Sequence, residues 1–437
     1  MGFQHLVSFF LFMSFLFLLI QKWRKPKTPI PPGPWRLPII GSVHHLTSGL
    51  PHRVLKNLSQ KYGPIMYLQL GKSPQPETMM GKIICYNCKD IAVSPCGHYW
   101  RHMRKLTVLK LLSAKMVKSF SPIRLDELSN LLSSIGSMDL NSPINLVEKL
   151  LWFMNASTCR SAFGNVCKDQ RDGFELADLF PSKKFLHGIS GMESKLKKAR
   201  YMIDTVLDNI INVHREKRAN GKSCKGESGT EDLINVFLRV MESGEFPVSL
   251  TNDNIKAVIL DMFVAGSDTS SSTVIWALSE MMRHPNVMAK AQAEVRKAFK
   301  GKKLCDDETD LEKLNYLKVV IKENTQETRI DGFTIPLKSK VLVNVWAIGR
   351  DPESWENLEC FIPERFEDTS IEFTGNHFQF LPFDLITLPL AHLLHNFDWK
   401  LPEGINARNL DMTEANGISA RRESDLYLIA THVSPLH

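Results

Sequence analysis

Phe3 to Ile20 is an almost unbroken apolar run, diluted only by Gln4, His5, Ser8 and Ser14. Eighteen residues in a helix rise roughly 27 Å, close to the hydrocarbon thickness of a bilayer. Lys22, Arg24, Lys25 and Lys27 follow at once, and no Lys or Arg precedes the run. That asymmetry predicts a transmembrane anchor over 3–20, with the N-terminus in the lumen and the body in the cytosol. A cleaved signal peptide would need a basic leading region and a small-residue cleavage site, and the segment has neither.

A basic, proline-rich hinge over 21–38 comes next, carrying Pro29-Ile30-Pro31-Pro32-Gly33-Pro34 and Pro38. Proline fixes φ and removes amide donors, so this stretch reads as a stiff extended spacer. The body over 39–437 has globular composition: the chain is 43% hydrophobic and 23% charged. It has no internal repeat. The segment 219–229, rich in Gly, Ser and Lys, reads as a surface loop. Net charge is +7. The bases are scattered without interleaved aromatics, so no nucleic-acid partner is expected; membrane lipid or an acidic protein accounts for them better. Eight cysteines on the cytosolic side are expected to be reduced. Cys85-Tyr86-Asn87-Cys88, with Cys96 and His98 beyond, invites a zinc reading, but the second half of the set is irregular. Small buried thiols are the plainer reading.

Apolar periodicity predicts helices over 51–60, 99–112, 122–134, 145–163, 192–218, 231–242, 252–283, 287–299, 311–323 and 387–395. Alternation predicts strands over 64–70, 341–345 and 426–429. The balance is mainly α with small β-sheets.

Several chemistry-bearing motifs are absent, among them GxGxxG, His-Glu-x-x-His and GxSxG. Gly221-Lys222-Ser223 resembles the end of a phosphate loop, but the glycine that loop needs is Glu216. The informative segment is Ile255 to Arg283, a long apolar helix interrupted by Ala265-Gly266-Ser267-Asp268-Thr269-Ser270. Glycine costs about 1 kcal/mol against alanine inside a helix, and a buried Asp-Thr pair is costly unless hydrogen-bonded or wet. Physics alone slightly favours two helices, with Asp268 or Thr269 capping the second. The functional alternative is a local opening where a hydroxyl and an acid face a cofactor pocket and deliver protons.

Ala265-Gly266-Ser267-Asp268-Thr269 resembles the oxygen-activation motif of cytochrome P-450 monooxygenases. Trp100-Arg101-His102-Met103-Arg104-Lys105 is similar to that family's haem-propionate helix, and Pro363-Glu364-Arg365-Phe366 to its Pro-Glu-Arg-Phe loop. With the anchor, the Pro-Pro-Gly-Pro hinge and the stretch from Gly375 to Phe383, the resemblance is to plant microsomal members of the terpenoid-hydroxylase-like branch. It implies a P-450-like fold behind one transmembrane helix and haem as cofactor. It also implies an NADPH-cytochrome reductase partner, a small apolar substrate and an endoplasmic-reticulum address. Carried over residue by residue, Trp100 and Arg104 would hold a haem propionate, and Ala265 and Gly266 would leave room over the haem face. Asp268 and Thr269 would serve proton delivery to dioxygen, and Arg365 would join a structural ion-pair cluster.

The plan is incomplete. The family's iron ligand is a cysteine thiolate in Phe-x-x-Gly-x-Arg-x-Cys-x-Gly. Counted from Phe383, these positions hold Ile386, Leu388 and Leu390, and no cysteine follows Cys360. No metal ligand is therefore assigned. The family's Glu-x-x-Arg reads Glu323-Asn324-Thr325-Gln326, and further gaps fall near 72–81 and after Gln170. His392 and His395 lie near the lost loop; an imidazole can ligate haem iron, but ordinary surface histidines are the plainer expectation. The reading is a haem-dependent monooxygenase plan that lacks several segments and does not turn over as written. The alternative is a non-catalytic anchored remnant, or an interaction protein docking the reductase through Arg101, Lys105 and Lys110.

Overall fold

The computed structural model describes residues 31–37, 41–70, 79–139, 141–164, 192–221, 231–244, 246–300, 360–366, 384–415 and 421–433, with 311, 314, 316, 317, 344 and 347. They belong to two compact units, Met1–Pro76 with Thr325–Glu359, and Glu77–Asn324 with Cys360–His437. The apolar run over 3–20 lies outside the described residues. So do the expected strand over 341–345 apart from Asn344, and most of the expected helix over 311–323. Among the described residues no helix is long and apolar enough to cross a membrane.

The first unit holds α1 (Val43–Leu46) and α2 (Pro51–Tyr62). Pro51 opens α2, where a missing amide proton costs nothing. The expected strand over 64–70 does not form. Only Leu70 bridges, to Gly41, while the Tyr67 amide donates to Pro32 O at 2.8 Å and the Ser42 amide to Gln69 O at 2.6 Å. Among the described residues no second strand lies alongside it, and β propensity needs such a partner. A Cβ on Gly33 would stand 2.0 Å from Tyr67 O, so this hinge glycine permits a close backbone approach that no other residue allows.

The second unit is mainly helical. In chain order it has α3 (Met79–Ile83), α4 (His98–Leu106), a π-helical turn (Thr107–Leu111), α5 (Ala114–Ser119) and α6 (Ser121–Gly136). After strand β1 (Ile144–Asn145) come α7 (Leu146–Phe163), α8 (Met192–Ala219), α9 (Leu233–Ser243), α10 (Asn252–Arg283) and α11 (Pro285–Ala298). A short 3-10 turn (Pro363–Phe366), α12 (Asp384–Asn396), β2 (Phe397–Lys400) and β3 (Tyr427–His432) complete it. Caps explain the starts. Asn145 accepts the Val147 amide at 3.1 Å, Asp232 the Asn235 amide at 2.8 Å, and the Thr251 amide donates back to Asn254 Oδ1 at 2.7 Å. Gly244, at φ 62°, closes α9 in the left-handed conformation. The strands form an antiparallel sheet ordered β1-β3-β2, with Ile144 opposite Leu428 and Trp399 opposite Ala430.

Two apolar clusters fill this unit, and α10 runs through both. Its first half (Ile255 to Phe263) packs with residues of α4, α8, α9 and the end of α7. Its second half (Val274 to Met281) packs with residues of α6, α7, α11, α12 and the sheet. The interval 264–273 lies between the two cores. Cys159 on α7 is disulfide-bonded, against the expectation of reduced thiols, which rested on compartment and took no account of proximity. Cys85, Cys88, Cys96 and Cys360 are reduced.

Candidate functional site

The interval between the cores is where Ala265 to Thr269 sit. The helix does not break there: α10 is continuous over 252–283, which removes both the capped-loop and the local-opening expectations. Hydroxyls bonded to carbonyls one turn back satisfy the polar run only in part, since Ser267 Oγ and Ser270 Oγ are buried without a hydrogen-bond partner. Thr269 Oγ1 donates to Ala265 O, Ser271 Oγ to Ser267 O at 2.8 Å, and Thr273 Oγ1 to Thr269 O at 2.9 Å. Ala265 and Thr269 are exposed, and Val264 beside them is 49% exposed. A Cβ added to Gly266 would meet nothing within 4 Å. This face of α10 is therefore open and mostly apolar. Asp268 stands 3.4 Å from Arg421 Nη1. Its neighbour Arg422 is buried, donating to Ser279 Oγ and Asp411 O at 2.6 Å each.

Trp100 and Arg104 come together on α4, with the guanidinium 5.2 Å from the indole centroid. The indole N–H is already committed, donating to Ile91 O at 3.0 Å, while the Arg104 side chain is exposed. These two residues and the α10 group are tied through the backbone of the intervening turn. The Ile91 and Ala92 amides donate to Asp261 Oδ2 at 2.7 and 3.2 Å, one helical turn before Ala265. Asp261 was not among the sequence candidates. The signal for it was a lone acid in the apolar run Ile259-Leu260-Asp261-Met262-Phe263. Burial pushes its carboxyl up to about 6, and Asp90 adds to the rise, while the two amide bonds oppose it.

Glu364 of the Pro-Glu-Arg-Phe turn accepts Tyr316 Oη at 2.8 Å and Lys290 Nζ at 3.2 Å. The side chain of Arg365, Glu323 and the Gly375–Phe383 stretch lie outside the described residues. Among the described residues no group of three or more His, Cys, Asp or Glu could hold a metal. The Cys85 thiol is pushed up to about 12 by burial and by Asp90 and Asp261.

The family model for cytochrome P450 matches residues 74–384. The chain belongs to the cytochrome P450 family. It is 47% identical over 503 residues to premnaspirodiene oxygenase of Hyoscyamus muticus, covering 100% of this chain and 99% of that protein. To 5-epiaristolochene 1,3-dihydroxylase of Nicotiana tabacum it is 46% identical, again over 100% and 99% of the two chains. Both alignments run past 500 positions although this P450 chain has 437 residues, so segments of the relatives have no counterpart in it. A zebra fish cytochrome P450 structure with progesterone shares the fold, with a TM-score of 0.71, 21% identity, 87% of this chain covered and 99% of that one.

The family and the fold imply haem, and the residues of this P450 chain fit it unevenly. Gly266 and Ala265 leave open space on the α10 face, and Arg104 offers an exposed guanidinium. The iron end does not fit. Leu390, at the position counted for the thiolate, is 0% exposed in the apolar core with Leu388, Ala391, Leu393 and Leu394. His392 cannot substitute. It is not the surface histidine expected but is fully buried, stacked on Phe299 at 5.1 Å. Burial, with His395 adding to it, pushes its imidazole down to about 4. Leu388, Leu390, Ala391, Leu393 and Leu394 form the apolar stripe of α12, and that stripe carries Leu390 and His392 inward with it.

Proposed function

We propose that this chain is a membrane-anchored cytochrome P450 whose plan is hydroxylation of a small apolar, terpenoid-like molecule, and that it does not catalyse this reaction as written. The observation carrying the proposal is Leu390. The position that should supply the thiolate is an aliphatic side chain inside a packed core. The substrate class is supported by relatives named for oxidation of premnaspirodiene and 5-epiaristolochene, and by the open apolar face at Val264, Ala265 and Gly266. Trp100 and Arg104 are assigned to the propionate end of the family's haem site, and Asp268 and Thr269 to its proton-handling side. The reduced, carbon-monoxide difference spectrum of the purified full chain tests the proposal. It should lack a thiolate-type Soret band, and a clear band of that type overturns it.

The anchor over 3–20 and an endoplasmic-reticulum address with the body in the cytosol belong to the same proposal, supported by the apolar run and the basic cluster behind it. Carbonate extraction should leave the chain in the membrane pellet, and release into the supernatant would contradict the anchor.

One observation favours a second reading. Arg101, Lys105 and Lys110 are exposed along α4 and the π-helical turn after it, where they could meet an acidic reductase surface. Salt-sensitive binding of NADPH-cytochrome reductase by the haem-free chain would support an interaction role; no binding at low salt would remove it.

A further inference from the structure

The turn between α3 and α4 is held at both ends by a small set of bonds. Asp261 Oδ2 on α10 accepts the Ile91 and Ala92 amides at 2.7 and 3.2 Å, and Asp90 Oδ2 accepts the next amide, Val93, at 2.9 Å. The Ile91 carbonyl in turn takes the Trp100 indole. Tyr99 beside it donates to Lys89 O and accepts from Asn254 Nδ2 of α10 at 2.8 Å. A single α10 carboxylate is thus linked, through one peptide unit, to the residue that begins the basic face of α4.

We propose that Asp261 is a positioning residue that docks the 90–93 turn, and through it Trp100, onto α10, and that the Asp90–Asp261 carboxyl pair makes this dock tighter when it holds a proton. Asp90 is fully buried and Asp261 partly so. The charged groups around the pair do not neutralise it. Lys89 spends its ammonium on Asp253 at 2.8 Å. Cys85 and Tyr99, which also face the pair, are both held in their neutral forms, chiefly by burial. A buried and a partly buried carboxylate without a cation are costly, and a proton on one of them relieves the repulsion.

The sign follows from linkage. Asp261 is raised in the docked state, from an ordinary value of 3.8 to about 6. Proton uptake therefore favours docking, and the contribution is lost as pH rises through about 6. The dock is a property of the polypeptide alone, so its test needs neither haem nor turnover.

The test is amide hydrogen exchange of the full chain, read as protection of Ile91 and Ala92 with the intrinsic pH effect removed, alongside Trp100 emission. In the natural chain protection should be greater at about pH 5 than at about pH 8. Asp261→Asn keeps an acceptor without the charge, so it should hold both amides and abolish the pH dependence. Asp261→Ala should lower protection at both sites at least about tenfold and shift the Trp100 emission. If Asp261→Asn exchanges as fast as Asp261→Ala, or if Asp261→Ala leaves protection unchanged, the positioning role is wrong. A pH dependence that persists in Asp261→Asn overturns the proton-linked part.

Discussion

Leu390 and His392 sit about two turns into α12 and decide what a point repair could achieve. Leu390 has no solvent exposure and belongs to the cluster that includes Val274 to Met281 of α10 and residues of α11. The open face of α10, by contrast, is at Val264 to Thr269. A sulfur placed at 390 would therefore lie in the core and not against that face. Leu390→Cys should cost about 1–3 kcal/mol of stability, as large-to-small core changes do, and its reduced carbon-monoxide spectrum should stay free of a thiolate band. The appearance of that band would show that position 390 reaches the haem site after all. His392 makes a pH prediction. Its nitrogens have no hydrogen-bond partner and its imidazole is held near 4. The unfolded chain then takes up a proton near the ordinary value of 6.5 while the folded chain resists it. Stability from the neutral imidazole is complete above that value and is lost as pH falls through about 4. The loss is roughly 3 kcal/mol. Urea unfolding of the natural chain and of His392→Leu, compared at about pH 7 and about pH 4, should show that much more acid sensitivity in the natural chain. Equal sensitivity would mean that the histidine is not buried neutral.

At the scale of elements, α10 carries most of what the sequence could and could not reveal. Its length and ends were legible, because apolar periodicity runs from Ile255 to Met281 and Asn254 and Arg283 sit at its termini. Its continuity was not. Gly266, Ser267, Asp268 and Thr269 each have poor helix propensity, and the support that Thr269 and Ser271 add by bonding to carbonyls one turn back is not something a residue pattern displays. The flanking cores supply the rest, since both halves of the helix are anchored before the polar interval must choose a conformation. Gly266→Ala tests this. With nothing within 4 Å of the added methyl, the substitution should raise stability by up to about 1 kcal/mol in urea unfolding. A loss of stability would show that the segment is bent or covered. The stretch over 64–70 failed in the opposite way: its strand pattern was clear, but among the described residues its bridge partner is Gly41 alone. The candidate residues on α4 and α10 came from the family resemblance of their motifs, and Asp261 lies outside those motifs. Its meaning lies in backbone amides far away in the chain.

One of the two apolar clusters of the second unit closes around α12, and at this scale the question is whether that unit still depends on a cofactor. Ile386, Leu388, Leu390, Ala391, Leu393, Leu394 and Phe397 are all buried in one cluster. Each large aliphatic among them contributes roughly 2 kcal/mol by leaving water. That cluster is built from protein side chains. A ligand that binds only the folded state raises the unfolding temperature by mass action, and a hundredfold excess over its dissociation constant adds about 2.7 kcal/mol. A P450 with a working iron site should therefore melt several degrees higher when haemin is supplied. This chain, with Leu390 at the ligand position, should melt cooperatively and at the same temperature with or without haemin. A rise of several degrees would mean that an iron site forms from residues other than those assigned, and a melt that is cooperative only with haemin would mean that the α12 core does not hold by itself.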